Sequence, residues 1–154
     1  MDKKDLLLLG HLRQDARMSL TKLSKRTGVP VSTIFHKLRS GFNGRILRHA
    51  VLVDFSAFGF NLKAFLLLKV KKAEKDALFK KLIASANVNN LFKINNGWDV
   101  MLECLFRDLN HLEEFLEDLD ESFSIKAKEV HYVLDDIKRE AFLADPDLID
   151  LVVG

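Results

Sequence analysis

Three short stretches near the start of the chain place apolar residues at the spacing of an amphipathic helix. The first runs from about Asp5 to Gln14. The second runs from Ser19, a suitable N-cap, to Gly28, a suitable stop. A third helix is predicted to end near Gly41. It would bury one side through a stripe at positions i, i+3, i+4 and i+7, formed by Val31, Ile34, Phe35 and Leu38.

The outward side of the third predicted helix is polar and basic. Two helices joined by a tight turn with Gly are typical of a helix-turn-helix, whose last helix enters the major groove of DNA. The residues expected on that outward side are Ser32, Thr33, His36, Lys37 and Arg39. The expected phosphate contacts around them are Lys22, Lys25, Arg26, Arg45 and Arg48. Lys37, one turn beyond Thr33, is predicted to reach a base edge or a phosphate. A solvated face or a protein-interaction module is the alternative.

Residues 46–54 combine β-branched residues with a preceding Gly44, which predicts a short strand or two acting as wing and linker. Beyond Gly59 the pattern changes to longer segments that alternate between strand and helix spacing. The predicted order is strand 62–71, helix 74–85, strand 88–94, strand 98–106, a helix from Asp108 and strand 126–137. In the first of these helices, Ala77, Leu78 and Leu82 are expected to face inward. This β-α-β-β-α-β order predicts a ferredoxin-like α+β domain with both helices on one face of an antiparallel sheet.

The strands of this predicted sheet are apolar on both faces. In the third strand, Val100, Leu102, Cys104 and Phe106 would share one face, and Met101 and Leu105 the other. Two helices can cover only one face, so the other needs a second cover. We therefore expect at least a dimer through this domain, with Leu66 or Leu68 and Met101 or Leu105 as candidates for the contact.

Charge divides the chain in the same way as the predicted elements. Residues 1–54 carry eleven Lys or Arg against four Asp or Glu, whereas residues 55–154 carry thirteen against eighteen. A basic segment joined to an acidic, apolar one suggests one part that meets phosphate and another that assembles or senses.

The remaining composition excludes several classes of protein. A single Cys and five scattered His give neither a disulfide framework nor metal-ligand spacing. No catalytic motif, signal peptide or membrane span is recognisable. We expect a cytoplasmic protein that is not an enzyme and that has no metal, cofactor or membrane partner.

The chain resembles the Lrp/AsnC, or feast/famine, family of transcriptional regulators. The resemblance covers roughly Asp5 to Lys138 and depends on the order and spacing of several short pieces. Those pieces are Asp5 to Leu12, Asp15 to Arg17, Leu23 to Lys25, Gly28-Val29, Ser32 to Ile34, Lys37-Leu38, Val53-Asp54, Phe58-Gly59 and Asn96 to Asp99.

The resemblance implies a winged helix-turn-helix over residues 1–54, a linker over 55–61 and an effector-binding, oligomerising domain over 62–138. A C-terminal extension over 139–154 would either dock on a neighbouring subunit or fray. The partners implied are double-stranded DNA, further copies of the chain as a dimer or a higher oligomer such as an octamer, and an amino-acid effector. The effector loop would comprise Asn96, Gly97, Trp98 and Asp99. Asp99 would accept the ligand ammonium or, alternatively, cap a hairpin.

Departures from the family pattern keep two other functions open. Pro30 stands where a polar helix cap is common, and Gly41-Phe42 stands where a Leu-Glu pair is common. A small-molecule sensor with a degenerate DNA-binding module would explain both. Siroheme decarboxylases resemble the same architecture, and Arg48-His49 is the pair that this alternative would use.

Overall fold

The computed structural model describes residues 2–149 and residue 151, and it divides the chain into two units. The first unit combines Met1–Leu52 with Ile137–Gly154, and the second is Val53–Asp136. The last residues of the predicted C-terminal extension, 150 and 152–154, lie outside the described residues. Among the helices of the described residues, none has the length and apolar character needed to cross a membrane.

The first unit begins with three helices, α1 (Lys3–Gln14), α2 (Leu20–Thr27) and α3 (Val31–Arg39). The Ser19 hydroxyl caps α2 by accepting a hydrogen bond from an amide of its first turn at 3.3 Å. Gly28 ends α2 with a φ of 67°, a left-handed conformation that glycine adopts without steric cost. The three predicted helices and the tight turn between the last two are therefore confirmed.

A small apolar core holds these helices together. Each helix contributes at least one side chain, and the turn after α3 contributes another. The core consists of Leu8, Met18, Leu23, Val29, Ile34 and Phe42. Because all three helices share this core, the orientation of α3 is fixed by the two helices beneath it.

A left-handed turn follows α3. The φ angles from Gly41 to Gly44 are 54°, 47°, 59° and 79°, so Phe42 and Asn43 lie in a region that costs a residue with a side chain about 1–2 kcal/mol. Phe42 is only 4% exposed, and burying its ring offsets that cost by about 1.5–3 kcal/mol. The predicted helix end near Gly41 is confirmed, and the chain reverses direction there.

The predicted wing strand over residues 46–54 is not formed. The segment pairs with no other strand among the described residues, and several of its apolar side chains face solvent, with Leu47 93% and Val51 81% exposed, whereas Ile46 packs on the core. A strand needs a neighbour to satisfy its backbone hydrogen bonds, and the described residues place none beside this segment.

The described part of the C-terminal extension packs on α1 of its own chain. Ile149 is 1% exposed, and a Cβ atom at Gly10 would come within 2.9 Å of its Cδ1 atom. Arg13 donates a hydrogen bond of 2.8 Å to the carbonyl of Glu140. Burial, together with the nearby charge of Arg26, lowers the pKa of His11 beside this contact. This packing differs from both expectations, which were that the extension docks on a neighbouring subunit or that it frays.

The second unit is a four-stranded antiparallel sheet with two helices. The elements are β1 (Leu62–Val70), α4 (Lys75–Ala84), β2 (Val88–Lys93), β3 (Val100–Phe106), α5 (Leu109–Ser122) and β4 (Ile125–Tyr132). The strand order is β2-β3-β1-β4, with antiparallel pairing throughout. The predicted β-α-β-β-α-β order and ferredoxin-like arrangement are confirmed.

Two details of the second unit differ from the prediction. β4 ends at Tyr132 rather than at Ile137, because β1 begins at Leu62 and offers no partner beyond Val133. Leu134 is consequently 96% exposed. Ala77, expected to face inward, is exposed on α4.

The covered face of the sheet forms the main core with α4 and α5. From the strands it takes Leu66, Leu68, Val70, Val100, Leu102, Cys104 and Phe106, and from the helices Leu78, Leu82, Leu112, Leu116 and Leu119. Burial raises the pKa of the Cys104 thiol to about 12. The expectation that Leu66 or Leu68 meets a partner subunit is wrong, since both point to the helices and are 0% and 1% exposed.

Candidate nucleic-acid interface and effector loop

One side of α3 is open to solvent, and its composition differs from the prediction. The exposed residues are Val31, Ser32, Phe35, His36 and Arg39. Ile34 is fully buried and Leu38 half-buried, so the predicted inward stripe holds for these two residues but is wrong for Val31 and Phe35. Relative to the prediction, the helix is rotated about its axis so that Lys37 lies toward α1.

Lys37 forms an ion pair with Asp5 at the start of α1. Its Nζ lies 2.6 Å from Oδ1 of Asp5, and the two side chains are 34% and 14% exposed. Lys37 and the half-buried Thr33 therefore line a groove of about 360 Å³, whose other edge includes His36 of the open side. The prediction that both residues face outward is wrong, because the carboxylate of Asp5 holds Lys37 against α1.

Exposed basic side chains lie on the elements before and after α3 in the chain. Lys22, Lys25 and Arg26 are exposed on α2, and no carboxylate of the described residues forms an ion pair with them. Arg45 and Arg48 are exposed after the left-handed turn, and Arg45 also donates a hydrogen bond to the carbonyl of Phe42 at 3.2 Å. The first unit therefore exposes cations on the elements that precede and follow α3 in the chain.

The N-terminus of α3 lacks a side-chain cap. Pro30 occupies the cap position and accepts no side-chain hydrogen bond from the first turn. Backbone N–H groups of an uncapped first turn can donate to a phosphate, and the helix dipole favours the negative charge there.

The predicted effector loop forms the turn between β2 and β3. Asn96 and Gly97 have φ angles of 59° and 90°, the two successive positive values of a type I′ turn. Both residues are exposed, whereas Trp98 is half-buried. The predicted turn is confirmed.

Asp99 ties this loop to the rest of the second unit. Its carboxylate lies 2.5 Å from Nζ of Lys75 on α4 and accepts a hydrogen bond from the amide of Val70 at 3.0 Å. Its own amide donates to the carbonyl of Leu68. The hydrogen bond from Lys75, followed by that from Val70, lowers the pKa of Asp99. The carboxylate expected to receive a ligand ammonium thus already binds the ammonium of Lys75.

The Asp5–Lys37 pair gives a first prediction. Asp5→Asn and Lys37→Met should each lower the free energy of unfolding by up to about 1 kcal/mol, and the double variant should lose less than the sum because the pair is lost only once. Differential scanning calorimetry measures the changes. Lys25→Met is the matched control, since Lys25 is exposed and should combine additively with Asp5→Asn. Additive losses from Asp5→Asn and Lys37→Met would contradict the contact.

Asp99 gives a second prediction, on pH. Because the folded pKa lies below the ordinary value of 3.8, the carboxylate adds stability above that value and loses it as the pH falls through the folded pKa. Wild type should therefore exceed Asp99→Asn in free energy of unfolding near neutral pH, and the difference should shrink below about pH 4. Asp135→Asn, at an exposed carboxylate, is the control and should leave the pH profile unchanged. A difference that stays constant with pH would contradict the role of the charge.

Two family models match the chain. An AsnC-type helix-turn-helix domain matches residues 1–34, and the Lrp/AsnC ligand binding domain matches residues 63–142. The second match alone covers more than half of the chain. The two matched ranges fall on the α1–α3 region and on the sheet unit.

Named relatives and solved structures agree with these matches. The chain is 28% identical over 141 residues to the uncharacterized HTH-type transcriptional regulator PH0140 of Pyrococcus horikoshii, covering 90% of this chain and 89% of the relative. It is 26% identical over 118 residues to the HTH-type transcriptional regulator FL11 of Pyrococcus furiosus, covering 76% and 78%.

Among solved structures, the fold is similar to that of the transcriptional regulator NMB0573 of Neisseria meningitidis in complex with L-Met. The TM-score is 0.83 at 22% identity, with 90% and 93% of the two chains covered. E. coli AsnC is similar with a TM-score of 0.79 at 20% identity, covering 90% and 95%. With its two matched domains in the same order and its fold in common with these proteins, the chain belongs to the Lrp/AsnC family of transcriptional regulators.

Proposed function

We propose that the protein regulates transcription by binding double-stranded DNA through α3, as a dimer or higher oligomer that responds to an amino acid. The observation that carries the proposal is the open side of α3, together with the exposed cations Lys22, Lys25 and Arg26 on α2, the helix packed against it. Cations placed beside a groove-sized helix neutralise phosphates, while the helix itself meets base edges.

The predicted DNA-contacting residues enter this proposal in two groups. Ser32, His36 and Arg39 lie on the open side of α3 and are proposed to face the major groove. The basic residues on either side are proposed to contact phosphates: Lys22, Lys25, Arg26, Arg45 and Arg48. Thr33 and Lys37 support the position of the helix from its other side.

The uncovered face of the sheet supports self-association. Phe65 and Leu67 of β1 and Met101 and Leu105 of β3 lie on this face and are only half-buried, and Phe92 of β2 is 44% exposed beside them. Burying these apolar side chains against a second protein surface removes them from water and stabilises the resulting assembly.

The buried charges of the same face are paired. On β4, Glu129 and His131 lie on this face opposite Leu67 and Phe65, are exposed, and contact each other at 3.1 Å. Glu103 lies among the apolar side chains with 7% exposure, and its carboxylate is 3.4 Å from Nζ of Lys63. Lys63 also binds Asp136 at 2.6 Å, so the buried charges of this face are paired. A second copy of the chain is the proposed partner.

The effector site is proposed at the loop 96–99. The matched ligand binding domain includes this loop, and the similar Neisseria regulator was solved with L-Met. An amino-acid ligand whose ammonium binds Asp99 would compete with Lys75, because Nζ of Lys75 lies 2.5 Å from the Asp99 carboxylate. DNA binding measured with and without a panel of amino acids tests whether such a ligand acts on the protein.

No observation favours the decarboxylase alternative. Arg48 and His49 are exposed on the irregular segment after the left-handed turn. The matched families and the named relatives are transcriptional regulators.

DNA binding is predicted to weaken steeply with salt. If a dimer neutralises about six phosphates, the logarithm of affinity should fall against the logarithm of salt with a slope of roughly −5. Lys25→Ala should reduce the magnitude of the slope by roughly one unit for each contact removed. Lys37→Ala is the matched control and should leave the slope near its original value, because Lys37 binds Asp5. A flat salt dependence would sink the DNA-binding proposal.

Self-association is predicted to fail when a charge is placed on the uncovered sheet face. Met101→Asp buries an unpaired carboxylate in the proposed contact, at a cost of several kcal/mol. The molecular mass from light scattering should fall while circular dichroism shows a folded protein. Ile83→Asp places the same charge on the outer side of α4, where Ile83 is 74% exposed, and should keep the parent mass. A parent mass for Met101→Asp would refute this dimer face.

A further inference from the structure

The open side of α3 is partly apolar. Phe35 is 51% and Val31 42% exposed, although Ile34 between them is fully buried. At 3.6 residues per turn, the five exposed residues of α3 lie within an arc of about 140°, and Phe35 lies inside that arc rather than at its edge. The rotation of α3 about its own axis therefore exposes the Phe35 ring to solvent.

This rotation is fixed from the opposite side. Ile34 enters the core of the first unit, and Lys37 binds Asp5 at 2.6 Å. The Phe35 ring is itself oriented by an edge-to-face contact with the ring of His36, at 5.7 Å between centroids and 74° between planes. Phe35 therefore projects outward from a fixed helix, with a neighbour that restrains its ring.

The residues around Phe35 favour a binding partner that is a polyanion and that also presents an apolar group. Ser32, His36 and Arg39 share the open side, and α2, which packs against α3, exposes further cations. This is a poor surface for an apolar protein partner, whose approach would strip water from these polar and charged groups without pairing them. The major groove supplies one apolar group on its base edges, the C5 methyl of thymine, which Phe side chains contact.

We propose that Phe35, with Val31 one turn before it, recognises thymine methyl groups in the major groove, so that the preferred half-site carries thymines beneath the first half of α3. This inference deepens the proposed DNA binding and depends on it. Four residues of helix rise about 6 Å, which spans roughly two base-pair steps of 3.4 Å. The two side chains therefore fit methyl groups that lie one or two steps apart.

Replacing thymidine by deoxyuridine tests the proposal, because it removes only the methyl group. The full chain is used to select a preferred duplex from a random-sequence pool, and the half-sites of that duplex are resynthesised with deoxyuridine. Wild type should bind the substituted duplex roughly 4-fold more weakly for each contacted methyl, the equivalent of about 0.8 kcal/mol per buried carbon. Phe35→Ala should bind the two duplexes with a ratio closer to one.

Two further variants sharpen the test. Arg39→Ala is the matched control on the same side of α3 and should weaken binding to both duplexes while keeping their ratio. Phe35→Leu keeps an apolar side chain and should retain part of the discrimination. It also provides a readout if Phe35→Ala does not fold, as judged by circular dichroism.

The outcomes separate this inference from the function on which it depends. Tight, salt-dependent binding by wild type with a thymidine-to-deoxyuridine ratio of one would overturn the role of Phe35 and leave DNA binding intact. Failure to retain any duplex would overturn both. A fall in molecular mass for Phe35→Ala, with an unchanged ratio, would assign the apolar patch to a second copy of the chain and overturn the inference.

Discussion

The rotation of α3 about its own axis decides which residues of the first unit can meet DNA. Ile34 in the core and the ion pair between Lys37 and Asp5 anchor the same side of the helix. A helix of only nine residues is marginally stable on its own and is stabilised mainly by tertiary packing. These tertiary contacts therefore set its orientation. The reading surface and the position of Phe35 follow from that orientation.

Side-chain contacts also fix the position of the loop 96–99 in the second unit. Asp99 joins the end of the β2–β3 turn to α4 through Lys75 and to the end of β1 through the amide of Val70. A ligand that competes for this carboxylate would loosen three elements at once. If the proposed effector binds there, occupancy of the loop would change the geometry of the sheet.

The two units divide the physical tasks of a regulator. Basic residues and a short helical core suit the first unit to a polyanion, while the acidic, apolar second unit has a sheet face that needs a cover. A dimer formed through that face would hold two α3 helices in one particle. The proposed affinity for DNA depends on this linkage, because a single helix-turn-helix makes few contacts.

The sequence alone determined the elements and their order, because helix caps, turn residues and hydrophobic spacing are local signals. Ser19, Gly28 and Asn96-Gly97 each have the predicted role, and the β-α-β-β-α-β order is confirmed. The resemblance carried by the short pieces also identified the family. Residues 46–54 are different: their composition suits a strand, but strand formation requires a partner that composition does not reveal.

Tertiary structure alone decided how the side chains are distributed between the two sides of an element. Lys37, expected to face outward, lies against α1, and Phe35, expected to face inward, is exposed. Periodicity gives the width of an apolar stripe but not its rotation, which contacts such as that between Lys37 and the half-buried Asp5 accompany. Leu66 and Met101 were likewise assigned to opposite sheet faces only by the packing of α4 and α5. The physical reason is the same for both: these choices depend on contacts between residues distant in the chain, and local spacing carries no information about them.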